Sequence, residues 1–444
     1  CPTLECTCID LPPHEPSLPP ELVAEFLAPE AESQIAYRRG RRYVARLAAM
    51  KSLPRTHALA RPEGAFRLRA TQYGAFDRLA LSEFERKPPA DHEVEIEVEA
   101  AAVNFKDVLF SLGMLREFSE RAGIERAADQ PLGFECAGRI VRLGRKAQEK
   151  WRIGEAVVAM AHSAMASHVS ADARLVQRKP AAISFEAAAA LPTVFMTAIH
   201  SLERLAKIQP GERVLVHACA GGVGQAALQI AQRAGAIVYG TASPSKWKLL
   251  KHQGVAHLMN SRSLEFADEI LRLTEGRGVD VVINSLNGSF IEKSACALAP
   301  GGRFIEIGKI GIWSPERMAA YRPDIVYHAF DLGELDETGI ARQAALMDEV
   351  IRRVDAGKLE PLPIKVFPMS RADAAFRYLA QANNIGKVVL SVDTPDERGA
   401  SAVRGDRTYL VTGGFGALGR DVAKRLIDRS EEHTSELQSH HDLV

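Results

Sequence analysis

The chain has 444 residues, of which 46% are hydrophobic and 25% are charged, and its formal net charge at pH 7 is zero. This length allows two or three domains, and the balanced charge gives no reason to expect nucleic acid or a membrane surface as a partner. The apolar runs are interrupted well before the roughly 18 residues of a membrane-spanning helix, so we expect no membrane segment.

The six cysteines are scattered along the chain. Cys6 and Cys8 are too close for a comfortable disulfide, whereas Cys136, Cys219 and Cys296 lie in apolar segments. The paired Cys and His spacing that is typical of zinc sites is missing. We therefore expect reduced, buried thiols, no bound metal and a cytoplasmic location.

The first 60 residues begin with a proline-rich stretch and continue with an amphipathic one. Within residues 21–47 the pattern predicts a short helix, a loop and a strand over Tyr43–Leu47. The doublets Arg38-Arg39 and Arg41-Arg42 fit either an anion site or a solvated turn beside that strand, and we favour the turn. The chain starts at Cys1 rather than at methionine, and we expect a fragment of a longer protein.

From about Gly64 the pattern becomes rich in β-strand signals. Residues 92–103 read HEVEIEVEAAAV and alternate charged and apolar residues at period two, which predicts a half-solvated strand. Residues 151–160 and 167–177 add short strands broken by glycine and polar residues. These patterns predict a small, mostly antiparallel β lobe.

From about Arg213 strands and helices alternate. Predicted strands cover residues 213–218, 236–242, 257–261, 279–285 and 303–308, and predicted helices cover residues 225–235, 247–254 and 264–278. Gly235 ends the first of these helices as a cap. Repeated βα units of this length predict a parallel, doubly wound sheet. A late strand in residues 385–392 is expected to return to the antiparallel lobe.

The C-terminal residues follow a polar linker over residues 394–407. Residues 408–428 read TYLVTGGFGALGRDVAKRLID and predict a second strand, glycine-rich turn and helix. Residues 429–444 have no apolar period, which is typical of a disordered tail.

A glycine-rich loop follows the first predicted strand of the parallel sheet. Ala218–Gly224 reads ACAGGVG, and from Gly222 onwards the pattern is G-x-G-x-x-A with Ala227 last. Missing side chains let the backbone approach a pyrophosphate, and a helix N-terminus offers free N–H groups to it. The alternative is a tight strand-to-helix turn without a ligand. The candidate cofactor-binding residues of this loop are Ala220, Gly221, Gly222, Val223 and Gly224.

The end of the second strand of this sheet indicates which dinucleotide would bind. An acidic residue there would bind the ribose 2′-hydroxyl of NAD, but residues 240–246 read GTASPSK and contain no acid. Ser243 and Lys246 can instead contact a 2′-phosphate, so the sequence favours NADPH. Lys246 also fits a solvated lysine, although a cation in the first turn of a helix opposes the helix dipole and suggests an anion nearby.

Several segments together resemble the medium-chain dehydrogenase/reductase superfamily, and within it the enoyl-reductase domains of type I polyketide synthases and animal-type fatty acid synthases. They span about residues 64–392 and include AAVNFKDVLFSLGM, PLGFECAGRIVRLG, LPTVFMTAIHSL, VLVHACAGGVGQAALQIA, DVVINSLNG, PGGRFIEIGK and IGKVVL. The resemblance implies an α/β fold in which a GroES-like, mostly antiparallel β lobe surrounds a doubly wound parallel Rossmann domain.

The resemblance also implies a division of the chain. Residues 1–60 resemble a linker and the tail of a preceding structural domain. Residues 61–195 are the expected first part of the GroES-like lobe, 196–325 the NADPH-binding Rossmann domain and 326–393 the return to the lobe. Residues 408–428 resemble the start of a ketoreductase domain, a truncated second Rossmann element, and residues 429–444 resemble translated adapter DNA.

The resemblance implies a metal-free reductase. Zinc alcohol dehydrogenases of the superfamily carry a Gly-His-Glu element at the metal, and the matching element here is Gly133-Phe134-Glu135. The implied reaction is NADPH-dependent reduction of an α,β-unsaturated thioester on an acyl carrier protein, through an enolate that needs stabilisation. Lys309 and Asp331 match a proposed donor pair, while an ordinary surface ion pair is an equal alternative. The tyrosine donor of some relatives has no match near NFKD.

The remaining site residues are carried over from the same resemblance. Asn104 and Thr197 match nicotinamide-side contacts, Gly386 and Lys387 match a late turn that closes over the cofactor, and Ser285 and Gly308 complete the expected cofactor site. Arg262 fits either an adenine contact or an exposed arginine, and Asp107 fits a structural role.

The expected partners are the acyl carrier protein and neighbouring synthase domains, and the resemblance allows a homodimer through the parent synthase. Two other functions are considered. One is a free-standing, zinc-independent quinone or enone reductase. The other is a scaffold module without catalysis.

Overall fold

The computed structural model describes residues 8–10, 34–38, 41–44, 58–333 and 337–392. The chain divides into two units, Cys1–Ala58 and Leu59–Val444. The ketoreductase-like segment 408–428, the linker before it and the tail after it lie outside the described residues, as does the predicted helix before residue 34.

The first unit contains a three-stranded sheet. Strand β1 (Cys8–Asp10) pairs in parallel with β2 (Gln34–Arg38), which pairs antiparallel with β3 (Arg41–Val44). Arg38 and Arg41 are partners at the end of this hairpin. The strand predicted over 43–47 therefore begins earlier, at Arg41, and the question of an anion site or a turn at the arginine doublets falls partly on Arg39, outside the described residues.

The second unit contains fifteen strands and eleven α-helices among the described residues. The strands are β4 (Phe66–Ala70), β5 (Leu79–Glu83), β6 (Glu93–Val103), β7 (Glu135–Leu143), β8 (Ala156–Met160), β9 (His168–Asp172), β10 (Val176–Arg178), β11 (Arg213–Val216), β12 (Ile237–Ala242), β13 (His257–Asn260), β14 (Val279–Asn284), β15 (Leu298–Glu306), β16 (Val326–Ala329), β17 (Ile364–Pro368) and β18 (Lys387–Ser391). The α-helices are α1 (Phe105–Ser111), α2 (Arg116–Arg121), α3 (Phe185–Ala189), α4 (Pro192–Ile199), α5 (Gly222–Arg233), α6 (Trp247–His252), α7 (Phe266–Leu273), α8 (Ser289–Cys296), α9 (Pro315–Tyr321), α10 (Glu337–Asp355) and α11 (Ala372–Ala380).

The antiparallel lobe is built on a sheet with the order β10-β8-β7-β6-β18-β17, and β9 also pairs with β6. The predicted strand over 92–103 is β6. The alternating pattern predicts that its charged residues are solvated, but Glu95 is buried and forms ion pairs with Arg86 and Arg142. The late strand β18 pairs antiparallel with β6, so the chain returns to this lobe after the parallel sheet.

The parallel sheet has the order β13-β12-β11-β14-β15-β16, and all five neighbouring pairs are parallel. This is the doubly wound arrangement that the alternating pattern predicts, and its strand order reverses between β11 and β14. Strand β14 reads VDVVIN and is buried throughout, as a central parallel strand should be. The sequence patterns did not predict the edge strand β16 or helix α8.

Helix α5 begins at Gly222, three residues before its predicted start, because the glycine loop already forms its first turn. Gly221 is the N-cap residue in an extended conformation. At the other end Gly235 has a φ of 75°, the left-handed conformation of a residue just beyond a helix C-terminus. Because the glycine loop connects the carboxyl end of β11 to the start of α5, the N-terminus of this helix lies at the carboxyl ends of the parallel strands.

In the part of the chain that the structure describes, no helix is both long enough and apolar enough to cross a membrane.

Candidate active site

The predicted site residues of the parallel sheet lie at one edge. In a parallel sheet all strands end at the same side, and ligands bind outside the carboxyl ends where the strand order reverses. Each of six strands is followed within a few residues by a predicted site residue. The glycine loop follows β11, Ser243 and Lys246 follow β12, Arg262 follows β13, Ser285 follows β14, Gly308 and Lys309 follow β15, and Asp331 follows β16.

The glycine loop is compact and cannot accept side chains at two of its glycines. A Cβ atom at Gly224 would lie 2.5 Å from the carbonyl oxygen of Ala218, and a Cβ at Gly222 would lie 2.8 Å from Cδ of Lys387. Ala218 itself has a φ of 48°, in the left-handed region, where the chain turns out of β11. The loop therefore depends on glycine for its shape.

The first turn of α5 fits a pyrophosphate. The N–H groups at the start of a helix have no acceptor within the helix, and here they belong to Gly222, Val223 and Gly224. No side chain of these glycines covers the backbone, and the positive end of the helix dipole favours an anion. Ala220 and Gly221 link this turn to the antiparallel lobe, because the Gly386 N–H donates to the Ala220 carbonyl at 2.8 Å.

A buried histidine lies directly before the glycine loop and holds its position through side-chain contacts. His217 ends the strand segment before the loop, and its ring nitrogens lie 3.1 Å from Oγ1 of Thr241 and 2.8 Å from Oγ of Ser294. The ring packs edge-on against Phe266. Burial lowers the pKa of His217 to about 3, so the ring is neutral at pH 7. The sequence patterns did not single out this residue.

The buried His217 gives a testable pH dependence of stability. The unfolded chain takes up a proton on this histidine below about pH 6.5, whereas the folded protein does so only near pH 3. The unfolded state therefore binds more protons in this window, and stability falls as the pH falls. We expect wild type to lose roughly 2–3 kcal/mol relative to His217→Asn between pH 7 and pH 4, measured by urea unfolding.

Stability must be compared with that of His217→Asn because the titration of Asp107 and Glu306 changes the stability of wild type in the opposite direction. Burial raises the pKa of each to about 7, so protonation of these carboxyls favours the folded state as the pH falls. Their effects cancel in the difference between wild type and His217→Asn. His252→Asn, at an exposed histidine, is the matched control and should leave the pH dependence unchanged. Equal slopes for wild type and His217→Asn would contradict the assignment.

The side chains of the two candidate phosphate ligands after β12 have different partners, although the Lys246 N–H donates to the Ser243 carbonyl at 2.9 Å. The hydroxyl of Ser243 lies 3.2 Å from the Ser245 hydroxyl, and the Lys246 ammonium donates to the carbonyls of Ala382 and Asn384, both at 2.7 Å. Burial lowers the pKa of Lys246. Two ammonium protons are used by these carbonyls, and the third has no acceptor among the described residues. Lys246 also ties the parallel sheet to the turn that precedes Gly386.

Two predicted cofactor residues, Asn104 and Lys387, form a polar cluster with Glu135, a carboxylate that the sequence patterns did not assign to the site. Glu135 is fully buried and lies 2.8 Å from Nζ of Lys387, which is 4% exposed. The Lys387 ammonium also donates to Oδ1 of Asn104 at 2.7 Å and to the carbonyl of Val103 at 3.2 Å. Its three protons are all used within the protein. The structure therefore places Lys387 beneath the glycine loop, with its alkyl chain against Gly222.

The other contacts of Glu135 reach both neighbouring elements. Its Oε1 accepts from Nδ2 of Asn104 at 3.0 Å, and its Oε2 accepts from the backbone N–H of Thr193 at 2.8 Å. Thr193 is in the first turn of α4, and its carbonyl accepts the hydroxyl proton of Thr197 at 2.7 Å. The pair Asn104 and Thr197, predicted on the nicotinamide side, is thus joined through Glu135 and Thr193.

Asp107 has the structural role expected of it. Its carboxylate is completely buried and accepts the backbone N–H groups of Asn104 at 2.8 Å and Gly133 at 2.7 Å. Burial raises the pKa of Asp107 to about 7 in spite of these two hydrogen bonds. The contacts fix the start of α1 against the segment that carries Phe134 and Glu135.

Lys309 and Asp331 are in contact, and a second lysine joins them. The Lys309 ammonium lies 3.3 Å from Oδ2 of Asp331 and donates to the Phe330 carbonyl at 2.9 Å. Lys106, from α1 of the antiparallel lobe, lies 3.1 Å from the same oxygen. Burial alone would raise the pKa of Asp331, but the two ammonium groups outweigh it and hold the pKa at about 2. Asp331 is therefore ionised at neutral pH.

The turn that carries Lys309 is held by a buried glutamate. Glu306 accepts the N–H of Gly308 and a proton of the Asn284 amide, both at 2.7 Å. Burial lowers the pKa of Lys309, which the neighbouring Asp331 partly offsets. Gly308 thus shapes the turn before Lys309. Ser285 and Arg262 are both exposed at the same edge, and the backbone N–H of Arg262 donates to Oδ1 of Asn260 at 3.1 Å.

Phe134 occupies an aromatic environment. Its ring lies 5.7 Å from the ring of His162 and 6.3 Å from that of Phe110, and Lys106 lies 5.5 Å from its centroid. Over the described ranges, 58–333 and 337–392 included, no group of three or more His, Cys, Asp or Glu side chains is placed to hold a metal ion. Of the three cysteines predicted to be buried, Cys136 and Cys219 are buried, but Cys296 is exposed.

Comparison with known proteins identifies the family. Residues 90–178 match the alcohol dehydrogenase GroES-like domain, and residues 253–390 match the zinc-binding dehydrogenase family. The chain is 38% identical over 411 residues to the phenolphthiocerol synthesis polyketide synthase type I Pks15/1 of Mycobacterium marinum. The aligned region covers 91% of this chain and 18% of that protein. The chain thus spans about a fifth of the length of the curated relatives that it matches.

Two solved structures extend the comparison. The CurK enoyl reductase is 48% identical with a TM-score of 0.71, and the match covers 74% of this chain and 99% of that one. The Escherichia coli quinone oxidoreductase complexed with NADPH is 25% identical with a TM-score of 0.66, over 74% and 100% of the two chains. The match to CurK covers nearly the whole of that enoyl reductase, and the polyketide synthase relative and both dehydrogenase families agree with it. This chain therefore belongs to the enoyl reductase domains of polyketide synthases, in the medium-chain dehydrogenase/reductase superfamily.

Proposed function

We propose that this chain reduces an α,β-unsaturated acyl thioester with NADPH, and that an acyl carrier protein delivers the substrate. The observation that carries the proposal is the ion pair of Lys309 and Asp331, which lies at the same sheet edge as the glycine loop. A cation in a partly buried cleft beside a dinucleotide loop can deliver a proton next to the site of hydride transfer. The similarity to the CurK enoyl reductase supports this assignment.

The residues present fit a dinucleotide. Gly222, Val223 and Gly224 would hold the pyrophosphate through their N–H groups, and Ser243 and Lys246 would contact the 2′-phosphate. Asn104 and Thr197 would line the nicotinamide side. NADPH, when bound, supplies the hydride that adds to the β-carbon of the thioester. The protein's own contribution is to orient the acyl chain and to manage charge and protons at the α-carbon and the thioester oxygen.

Lys309 is the proposed proton donor, and Asp331 is its partner. Asp331 is ionised at neutral pH, since its pKa is held at about 2, so it has no proton to give. Burial lowers the pKa of Lys309 and makes its proton easier to transfer near neutral pH. Lys309 is 20% exposed, which keeps a path for reprotonation. Asp331 thus orients the ammonium and holds it charged.

The direct test is turnover by the full chain. We expect oxidation of NADPH with crotonyl-pantetheine, a minimal mimic of a carrier-bound enoyl chain. A quinone is the second substrate, because the similarity to a quinone oxidoreductase favours that alternative. Turnover of the quinone alone would replace the thioester proposal by the quinone one, and turnover of neither would favour a scaffold module. A crotonyl acyl carrier protein that reacts no better than crotonyl-pantetheine would contradict the carrier-protein proposal.

The choice of cofactor is a separate prediction. We expect wild type to prefer NADPH over NADH at least tenfold in kcat/KM, because no acid follows β12 and Lys246 has one ammonium proton free. Lys246→Ala should lower kcat/KM for NADPH roughly 10–100-fold, the equivalent of about 1.5–3 kcal/mol for a hydrogen bond to a charged group. The value for NADH should stay near that of wild type.

Lys248→Ala is the matched control for this prediction, since Lys248 is exposed two residues further along the chain. It should leave both cofactors unaffected. Lys246 also holds the carbonyls of Ala382 and Asn384, so an equal fall for NADPH and NADH would mean that it only positions this turn. Equal use of the two cofactors by wild type would contradict the preference itself.

A further inference from the structure

Two ammonium groups, one from the antiparallel lobe and one from a loop of the parallel sheet, share one carboxylate. Nζ of Lys106 and Nζ of Lys309 lie 3.1 Å and 3.3 Å from the same oxygen of Asp331. The other oxygen of Asp331 accepts the Gly333 N–H at 2.9 Å. Among the described residues, Asp331 is the only carboxylate in ion-pair contact with either lysine. The three side chains therefore carry a net charge of +1.

The neighbouring groups do not fully neutralise this positive charge. Glu306 lies close enough to influence Lys309, but its two oxygens are occupied by Gly308 and Asn284, and burial raises its pKa to about 7. His162 packs on Phe134 beside Lys106, and burial together with the Lys106 charge lowers its pKa and keeps it neutral. Phe110 and Phe134 flank Lys106 with ring centroids at 5.9 Å and 5.5 Å.

The reduction of an enoyl thioester creates an anion that this charge would match. When hydride adds to the β-carbon, the electron pair of the double bond moves towards the α-carbon, and the carbonyl oxygen becomes an enolate oxygen with charge −1. Protonation of the α-carbon then restores the neutral thioester. Preorganised charges at such an oxygen act strongly because they are held in place before the reaction starts.

We infer that Lys106 is a second cation of the reducing site, and that it stabilises the enolate oxygen while Lys309 donates the proton. The inference rests on the proposed function. The different roles of the two ammonium groups are assigned from their contacts. Lys309 donates to the Phe330 carbonyl and also contacts Asp331. For the Lys106 side chain, Asp331 is the one hydrogen-bond acceptor that the structure gives among the described residues. Lys106 belongs to a helix of the antiparallel lobe and Lys309 follows a strand of the parallel sheet, so the two cations reach Asp331 from different parts of the fold.

The experiment uses a stable mimic of the enolate with the full chain and NADP⁺. Acetoacetyl-pantetheine is a thioester whose enolate form absorbs in the near ultraviolet, whereas its keto form does not. Wild type should lower the apparent pKa of the bound probe. Lys106→Met should raise that apparent pKa by about one unit or more, the equivalent of a tenfold change in the ionisation equilibrium. It should also lower kcat for crotonyl-pantetheine at least tenfold, and roughly 10²–10³-fold at most.

Two further variants keep the test decisive. Lys106→Arg retains the charge and should keep most of the effect on the probe, which also controls for a variant that does not fold. Lys146→Met removes an exposed lysine of the same lobe and should leave probe and turnover unchanged. If Lys106→Met binds the probe with a wild-type ionisation, the inference is overturned, even where turnover falls. If wild type neither binds the probe nor reduces crotonyl-pantetheine, the proposed function fails instead.

Discussion

Lys387→Met should destabilise the protein by about 3–5 kcal/mol, because it leaves the carboxylate of Glu135 buried without its charged partner. Glu135 is fully buried and Lys387 is 4% exposed, so water cannot replace the lost ammonium. The change also removes a donor from Oδ1 of Asn104. The measurement is the free energy of unfolding in urea.

A double variant separates the lost pair from general damage. In Glu135→Gln with Lys387→Met both charges are gone, and the glutamine can still accept from the Thr193 N–H. We expect the double variant to be more stable than Lys387→Met alone, since no unpaired charge is left buried. Arg116→Met is the control at an exposed pair with Glu120 and should change stability by less than about 1 kcal/mol. A double variant as unstable as the sum of the two single variants would contradict this account.

Much of the fold could be predicted because its signals are local. The buried strands β11 and β14, the glycine loop and the helix that follows it each carry their pattern within about ten residues. Six parallel strands then place the residues after them at one edge, as a consequence of topology rather than of any single contact. Strand β16 was missed because it lies at the edge of the sheet and has exposed residues, so it lacks the continuous apolar run of the central strands.

Apart from the pair of Lys309 and Asp331, which the resemblance implied, the contacts that organise the site could not be predicted, because they join residues far apart in the chain. Glu135 and Lys387 are separated by 252 positions, and Lys106 and Asp331 by 225. One signal was available in the sequence. Glu135 stands in PLGFECAG and Lys387 in IGKVVL, both within otherwise apolar segments, and a charge buried in such a segment needs a partner. That signal indicates that a partner exists, but it does not identify it.

Lys309→Met is expected to slow the reduction of crotonyl-pantetheine by roughly 10²–10⁴-fold. Asp331→Asn is expected to slow it by a smaller factor. Lys309 is the proposed proton donor, and a positioned acid contributes about that much to the rate. Asp331 acts through Lys309, so the double variant should be little slower than Lys309→Met alone. Lys358→Met, at an exposed lysine, is the matched control and should turn over as wild type does.

The pH profile tests the pairing itself. Asp331 raises the pKa of Lys309, and Lys106 lowers it, so removing the carboxylate leaves two ammonium groups facing each other. Protonated Lys309 is the active form, and activity should be lost as the pH rises through its pKa. In Asp331→Asn that loss should therefore begin at a lower pH than in wild type. An alkaline limb at the same pH in both proteins would show that Asp331 does not influence the donor.

Proton delivery at the α-carbon can be followed independently of the rate. In heavy water wild type should place deuterium at the α-carbon with one configuration, because the donor is held on one side of the acyl chain. In Lys309→Met water becomes the donor, and we expect a mixture of configurations. If Lys309→Met and Asp331→Asn both keep wild-type turnover and a single configuration, the donor assignment is wrong. The pair is then an ordinary ion pair, and each change should alter the free energy of unfolding by less than about 1 kcal/mol.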